Sequence, residues 1–143
     1  MVPGDLLERI RNATIEACKS FDCIYALLFG SRATGVSREY SDVDIAVKFK
    51  DSRGCLKKSL DLMSLVEKDL GMPVDVVPLN IADTIIKYEV YSSGILLFCL
   101  DYGEYMDDHI NAVDEYMDFE PSFNWFYELT VREIKSANTW SKG

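Results

Sequence analysis

The spacing of apolar positions divides the chain into alternating helical and extended segments. Leu6, Ile10, Ala13 and Ala17 recur at intervals of four, three and four, which predicts an amphipathic helix over Asp5 to Ser20. Ile24–Phe29 is a short continuous apolar run, as a buried strand is, and Val43–Phe49 reads the same way. Leu56, Leu60, Met63, Val66 and Leu70 make a second helical stripe, with Gly71 as its C-cap. Pro73–Pro78 predicts a third strand, with Asp75 the single carboxylate in an apolar run. Asn80 to Ser93 predicts a helix with Ile81, Ile85, Tyr88 and Tyr91 to one side, and Gly94 separates it from a strand over Ile95–Leu100. The rest is helical in pattern. Tyr105, Ile110, Val113 and Met117 suit one helix, and a second runs from Pro121 to Ala137. This order predicts an α/β (α+β) chain, a small mixed sheet flanked by helices with a helical C-terminal tail.

Composition narrows the class. The 143 residues predict one domain, 1–143, with a core over 1–100 and an acidic, aromatic tail over 101–143. Hydrophobic residues at 48% exclude a disordered chain. No apolar run approaches the length of a bilayer span, and the N-terminus lacks a signal-peptide pattern. Cys18, Cys23, Cys55 and Cys99 have no Cys-x-x-Cys spacing and sit in or beside apolar segments. They read as buried free thiols, and the expected location is the cytoplasm. The single histidine, His109, reads as a surface residue, with no cysteine or second histidine near it for zinc.

Charge is uneven. Residues 1–80 hold 11 Lys+Arg against 12 Asp+Glu, and residues 81–143 hold 4 against 12, which together give the net −9. A nucleic acid is therefore a poor main partner. The acidic half is either a solvated face or a docking surface for a basic protein.

The chemistry concentrates between Gly30 and Asp44. A strand breaks at Gly30-Ser31, where backbone N–H groups and one hydroxyl suit a phosphate. Ten residues follow, Arg32 to Ser41, and then Asp42-Val43-Asp44 opens the next strand. Side chains at i and i+2 share a face, so the two carboxylates stand side by side, and a cation relieves their repulsion. Mg²⁺ suits such hard oxygen donors. Either half alone is common, in turns and at strand ends. In this order, between two apolar strands, the two halves resemble the signature of the nucleotidyltransferase superfamily.

The short length, together with the pieces Ser92–Phe98 and Asp114–Phe119, resembles the minimal nucleotidyltransferase antitoxins of HEPN–MNT toxin–antitoxin pairs. That resemblance implies a nucleotidyltransferase-like fold and transfer of AMP from ATP to a tyrosine of a HEPN ribonuclease, which is thereby silenced. It implies Asp42 and Asp44 as the catalytic pair, with Asp75 joining them as a metal ligand. Gly30, Ser31 and Arg32 would hold the nucleotide triphosphate, with two Mg²⁺ ions or Mn²⁺ in their place, in a hetero-oligomer with the toxin. Where many relatives carry a second arginine, this chain has Thr34, so Arg32 and Arg38 are the local cations. Two other readings remain open: transfer to a small molecule such as an aminoglycoside, and an antitoxin that acts by binding alone.

Overall fold

The strands form one four-stranded sheet with a helical layer on each face. The computed structural model describes residues 3–30 and 42–142. In chain order these give α1 (Gly4–Cys18), β1 (Cys23–Phe29), β2 (Val43–Phe49), α2 (Cys55–Leu70) and β3 (Val74–Pro78). A 3₁₀ turn (Leu79–Ile81), α3 (Thr84–Ser93), β4 (Ile95–Cys99) and α4 (Tyr102–Lys142) follow. The sheet order is β3-β2-β1-β4. β1 runs antiparallel to β2 and β4, whereas β2 and β3 are parallel. A parallel neighbour cannot be reached through a tight hairpin, and α2 supplies the crossover. The mixed sheet flanked by helices, with its helical C-terminal part, is the one the sequence predicts.

Alternation along β1 sorts the core into two halves. Ala26 and Leu28 join Val43, Ile45 and Val47 beneath α1 and α2, with Ile10, Leu62 and Val66. Tyr25, Leu27 and Phe29 join Ala46 on the other face, against Val90 and Tyr91 of α3 and Ala112 of α4. Both faces of the central strands are covered, which is why they read as continuous apolar runs. The two edges are partly satisfied from the helices. Arg11 of α1 donates from Nε to the Leu97 carbonyl at 3.0 Å, and Glu67 of α2 accepts the Val74 N–H at 3.0 Å.

Three expectations change. On α2 the buried stripe is Cys55, Ser59, Leu62, Val66 and Leu70, while Leu56 and Leu60 are 59% and 52% exposed. Ser59 buries without an unsatisfied hydroxyl because it donates to the Cys55 carbonyl at 2.8 Å. The helix expected from Asn80 starts instead at Thr84, where Asp83 caps the Ile86 N–H at 2.8 Å. Its Ile85, like Ile81 before it, is exposed, and Val90 and Tyr91 are its buried residues. Asn80 lies in the 3₁₀ turn, and its amide pairs with both the N–H and the carbonyl of Phe49. The tail is one helix rather than two, and it continues through Pro121. A proline lacks the N–H of a helix interior, which is why the sequence suggests a break there.

The cysteines are free thiols, with Cys18, Cys23 and Cys55 buried as expected and Cys99 half-buried. None of the described helices is long and apolar enough to cross a membrane.

Candidate active site

The carboxylate pair lies at the start of β2. Asp44 is its second residue and half-buried, while Asp42 immediately precedes the strand and is exposed. On one side Asp44 is in register with Phe29 of β1, on the other with Asp75 of β3. In-register neighbours point to the same face of a sheet. Asp44 and Asp75 therefore share the face covered further along by α3 and α4. β3 is an edge strand and Asp75 is exposed, so burial does not compel it to find a partner. Its place in the site rests on the register with Asp44.

Gly30 closes the other side. It follows β1 with φ +75°, and a Cβ there would run into the carboxylate of Asp44. A glycine answers both demands, a left-handed backbone and a close approach. The Gly30 turn and Asp44, from the two halves of the motif, thus lie against each other across β1 and β2.

Charge is concentrated at this point. Burial raises the pKa of Asp44 to about 6, and the charges of Asp75, Asp42 and Glu89 push it in the same direction. Glu89 is an exposed residue of α3 that the sequence reading passed over, although it is the only acid within that helix. All these donors are hard carboxylate oxygens, and the field at Asp44 is one that a divalent cation relieves. The group fits Mg²⁺ in chemistry. Among the described residues, however, no three such side chains converge closely enough to hold an ion without moving. Ser31 and Arg32, and with them Thr34, Arg38 and Ser41, lie outside the described residues.

The same sheet face carries a second polar group. Lys48, four residues along β2 from Asp44, pairs with Asp108 of α4 at 3.0 Å. Asp108 also accepts the Tyr25 hydroxyl proton at 2.7 Å. A hydroxyl has one proton, so Tyr91 must donate to Tyr25 in their mutual hydrogen bond. Desolvation and the neighbouring acid hold both phenols well above the usual tyrosine range. His109 packs against Tyr91 and Tyr105, with ring centroids 5.6 and 5.9 Å away, and is half-buried rather than on the surface. These contacts fix α4 to the strand that carries Asp44. An open cavity of about 440 Å³ lies against Phe21, Ile24, Lys50 and Leu100, at the opposite end of β1 from Gly30.

Comparison with known proteins identifies the family and the fold. Residues 12–103 match the family described as polymerase beta, nucleotidyltransferase. A search of curated proteins finds no match. A chain in the crystal structure of a toxin–antitoxin with AMP-PNP is similar, with TM-score 0.72 and 22% identity over 82% of this chain and 95% of that one. A chain in the structure of a tri-AMPylated Shewanella oneidensis HEPN toxin in complex with an MNT antitoxin gives TM-score 0.70 and 19% identity. That match covers 85% of this chain and 96% of the other. A structure described as a minimal nucleotidyltransferase is 30% identical, with TM-score 0.55, over 64% of this chain and 92% of its own. The family match spans both halves of the motif, the Gly30 turn and the Asp42-x-Asp44 pair, together with Asp75. The chain belongs to the polymerase beta nucleotidyltransferase family.

Proposed function

We propose that this chain transfers AMP from ATP to a tyrosine of a HEPN-type ribonuclease and so neutralises it. The observation that carries the chemistry is the contact of the Gly30 turn with Asp44, set in register with Asp75. The choice of a protein acceptor is supported by the similar structures, whose contents include AMP-PNP and an AMPylated HEPN toxin.

In this reading residues 1–100 form the catalytic core and 101–143 the tail that meets the partner. Asp42, Asp44 and Asp75 would hold the divalent ions, Mg²⁺ or Mn²⁺. Such ions would supply the positive charge that polarises the α-phosphate, acidifies the attacking hydroxyl and shields the leaving pyrophosphate. Gly30, Ser31 and Arg32 hold the triphosphate, and Gly30 lets backbone N–H groups approach it where a side chain would block the way. The tyrosine oxygen of the acceptor attacks the α-phosphorus, its bond to the β-phosphate oxygen breaks, and pyrophosphate leaves. No side chain of this chain becomes covalently bound. Its contribution is to position reactants and to place charge where charge develops. Such an enzyme acts where its partner is made, in the cytoplasm.

ATP labelled on the α-phosphate tests the reaction class. The expected result is label on the ribonuclease in the presence of Mg²⁺, none from γ-labelled ATP, and none with Asp42→Asn/Asp44→Asn. Label passing to an aminoglycoside instead would favour the small-molecule reading. Neutralisation of the ribonuclease with no label transferred would favour action by binding alone.

A further inference from the structure

The first five turns of α4 divide lengthwise into three faces at 100° per residue. Tyr105, Asp108 and Ala112 turn toward the sheet and α3. Asp107, Asn111, Asp114 and Asp118 form a second, exposed face. Between the two, on the remaining side, run Tyr102, Met106, Ile110, Val113 and Met117, spaced four, four, three and four apart. Tyr102, Met106, Ile110 and Met117 are 63%, 38%, 53% and 51% exposed, and Leu100 at the foot of the helix is 77% exposed. Single exposed apolar residues need no explanation, but a continuous stripe of them along one helix does.

Charge says what covers it. From Asp101 to Phe119 there are seven acidic residues and no lysine or arginine. Asp108 and Glu115 are neutralised from within, by Lys48 and Lys87. Among the described residues, Asp107, Asp114 and Asp118 have no ion-pair partner. The stripe thus has one acidic border. A second copy, laid antiparallel, would set that border against itself, and an anionic membrane would repel it.

We infer that the stripe Tyr102–Met106–Ile110–Met117 seats an amphipathic helix of a partner protein. That helix is apolar along its centre and carries Lys or Arg on the side that meets Asp107, Asp114 and Asp118. Apolar i, i+4 anchors laid into a matching helix surface are a common mode of protein recognition. The inference rests on the proposed function only for the identity of the partner, a HEPN-type ribonuclease. The stripe lies within 102–118, before the aromatic cluster around Phe123 and Trp125 to which composition alone draws attention.

The test titrates the full chain with a catalytically inactive HEPN-type ribonuclease. Ile110→Glu/Met117→Glu should weaken binding by about 100-fold or more, as loss of central anchors does. Its melting temperature and ATP affinity should stay those of wild type. Asp107→Lys/Asp114→Lys/Asp118→Lys should slow association about tenfold or more at low salt and abolish its salt dependence. Hydrogen exchange on wild type should slow at 102–118 only in the complex. Wild-type affinity in both variants overturns the surface, even if AMP transfer proceeds. So does dimerisation of the chain alone through this stripe, or binding to anionic phosphatidylglycerol vesicles that both variants lose. A ribonuclease that does not bind wild type overturns the assignment of partner and surface together. Binding lost in the variants, with a wild-type complex that transfers no AMP, leaves the surface standing and removes the enzymatic reading.

Discussion

Asp44 and Asp75 stand side by side in register across the parallel β2–β3 pair, and the pKa of Asp44 rises to about 6. In the unfolded chain an aspartate titrates near 3.9. Between about pH 4 and 6 the folded state keeps a proton that the unfolded state has released, so this group's contribution to stability falls as pH rises through that window. Asp22, Asp51 and Glu115, held below their ordinary values by Lys58, Arg53 and Lys87 respectively, act in the opposite direction as pH falls. The difference between wild type and Asp44→Asn isolates Asp44. Melting temperatures should show Asp44→Asn gaining on wild type from pH 4 to 6, with a constant difference above pH 7. A difference that does not change with pH would remove Asp44 as a perturbed acid.

A cation should relieve the same repulsion. Mg²⁺ or Mn²⁺, binding the folded state alone, should raise the melting temperature of wild type, with about 2.7 kcal/mol of stabilisation at a hundredfold excess over Kd. Asp42→Asn/Asp44→Asn and Asp75→Asn should lose most of this gain. Equal stabilisation of all three proteins would dismiss the carboxylates as the metal site.

Gly30 and Gly54 form a matched pair. Both have positive φ, +75° and +68°, but only at Gly30 would a Cβ meet another group, the Asp44 carboxylate. Alanine at either position should cost more than about 1 kcal/mol through backbone strain. Only Gly30→Ala should also abolish nucleotide transfer. If Gly54→Ala impairs transfer as severely, the contact between turn and acid is not what matters.

How far the chain could be read from its sequence depended on which signal marked each element. β1 and β2 were legible because both faces are buried, and their apolar runs could hardly be anything else. The carboxylate pair and Gly30 were legible because they sit in one short motif. The register of Asp44 with Asp75 is long-range pairing and is not local in the chain, so Asp75 could be proposed only by resemblance. Glu89 was missed because its relation to Asp44 arises only when α3 packs on the sheet. The Lys48–Asp108–Tyr25 group was missed for the same reason, since its partners lie 60 and 83 residues apart. α2 shows a different failure. Counting only the large apolar residues selected Leu56 and Leu60, while the helix buries Cys55, a small thiol left out of that stripe, and Ser59, whose satisfied hydroxyl carries no hydrophobic signal.

That correction has a measurable consequence. Leu62→Ala, at a fully buried position, should cost about 2–5 kcal/mol in denaturant unfolding. Leu60→Ala, at a position 52% exposed, should stay within about 0.5 kcal/mol of wild type. A larger loss at Leu60 than at Leu62 would mean that the stripe is turned as the sequence first suggests.

The most direct test of the proposed reaction is the intact mass of the partner. A HEPN-type ribonuclease incubated with this chain, ATP and Mg²⁺ should gain one or more AMP units and lose its ribonuclease activity. Asp42→Asn/Asp44→Asn should still bind it and should add nothing. A ribonuclease that is silenced by wild type with its mass unchanged would contradict the account.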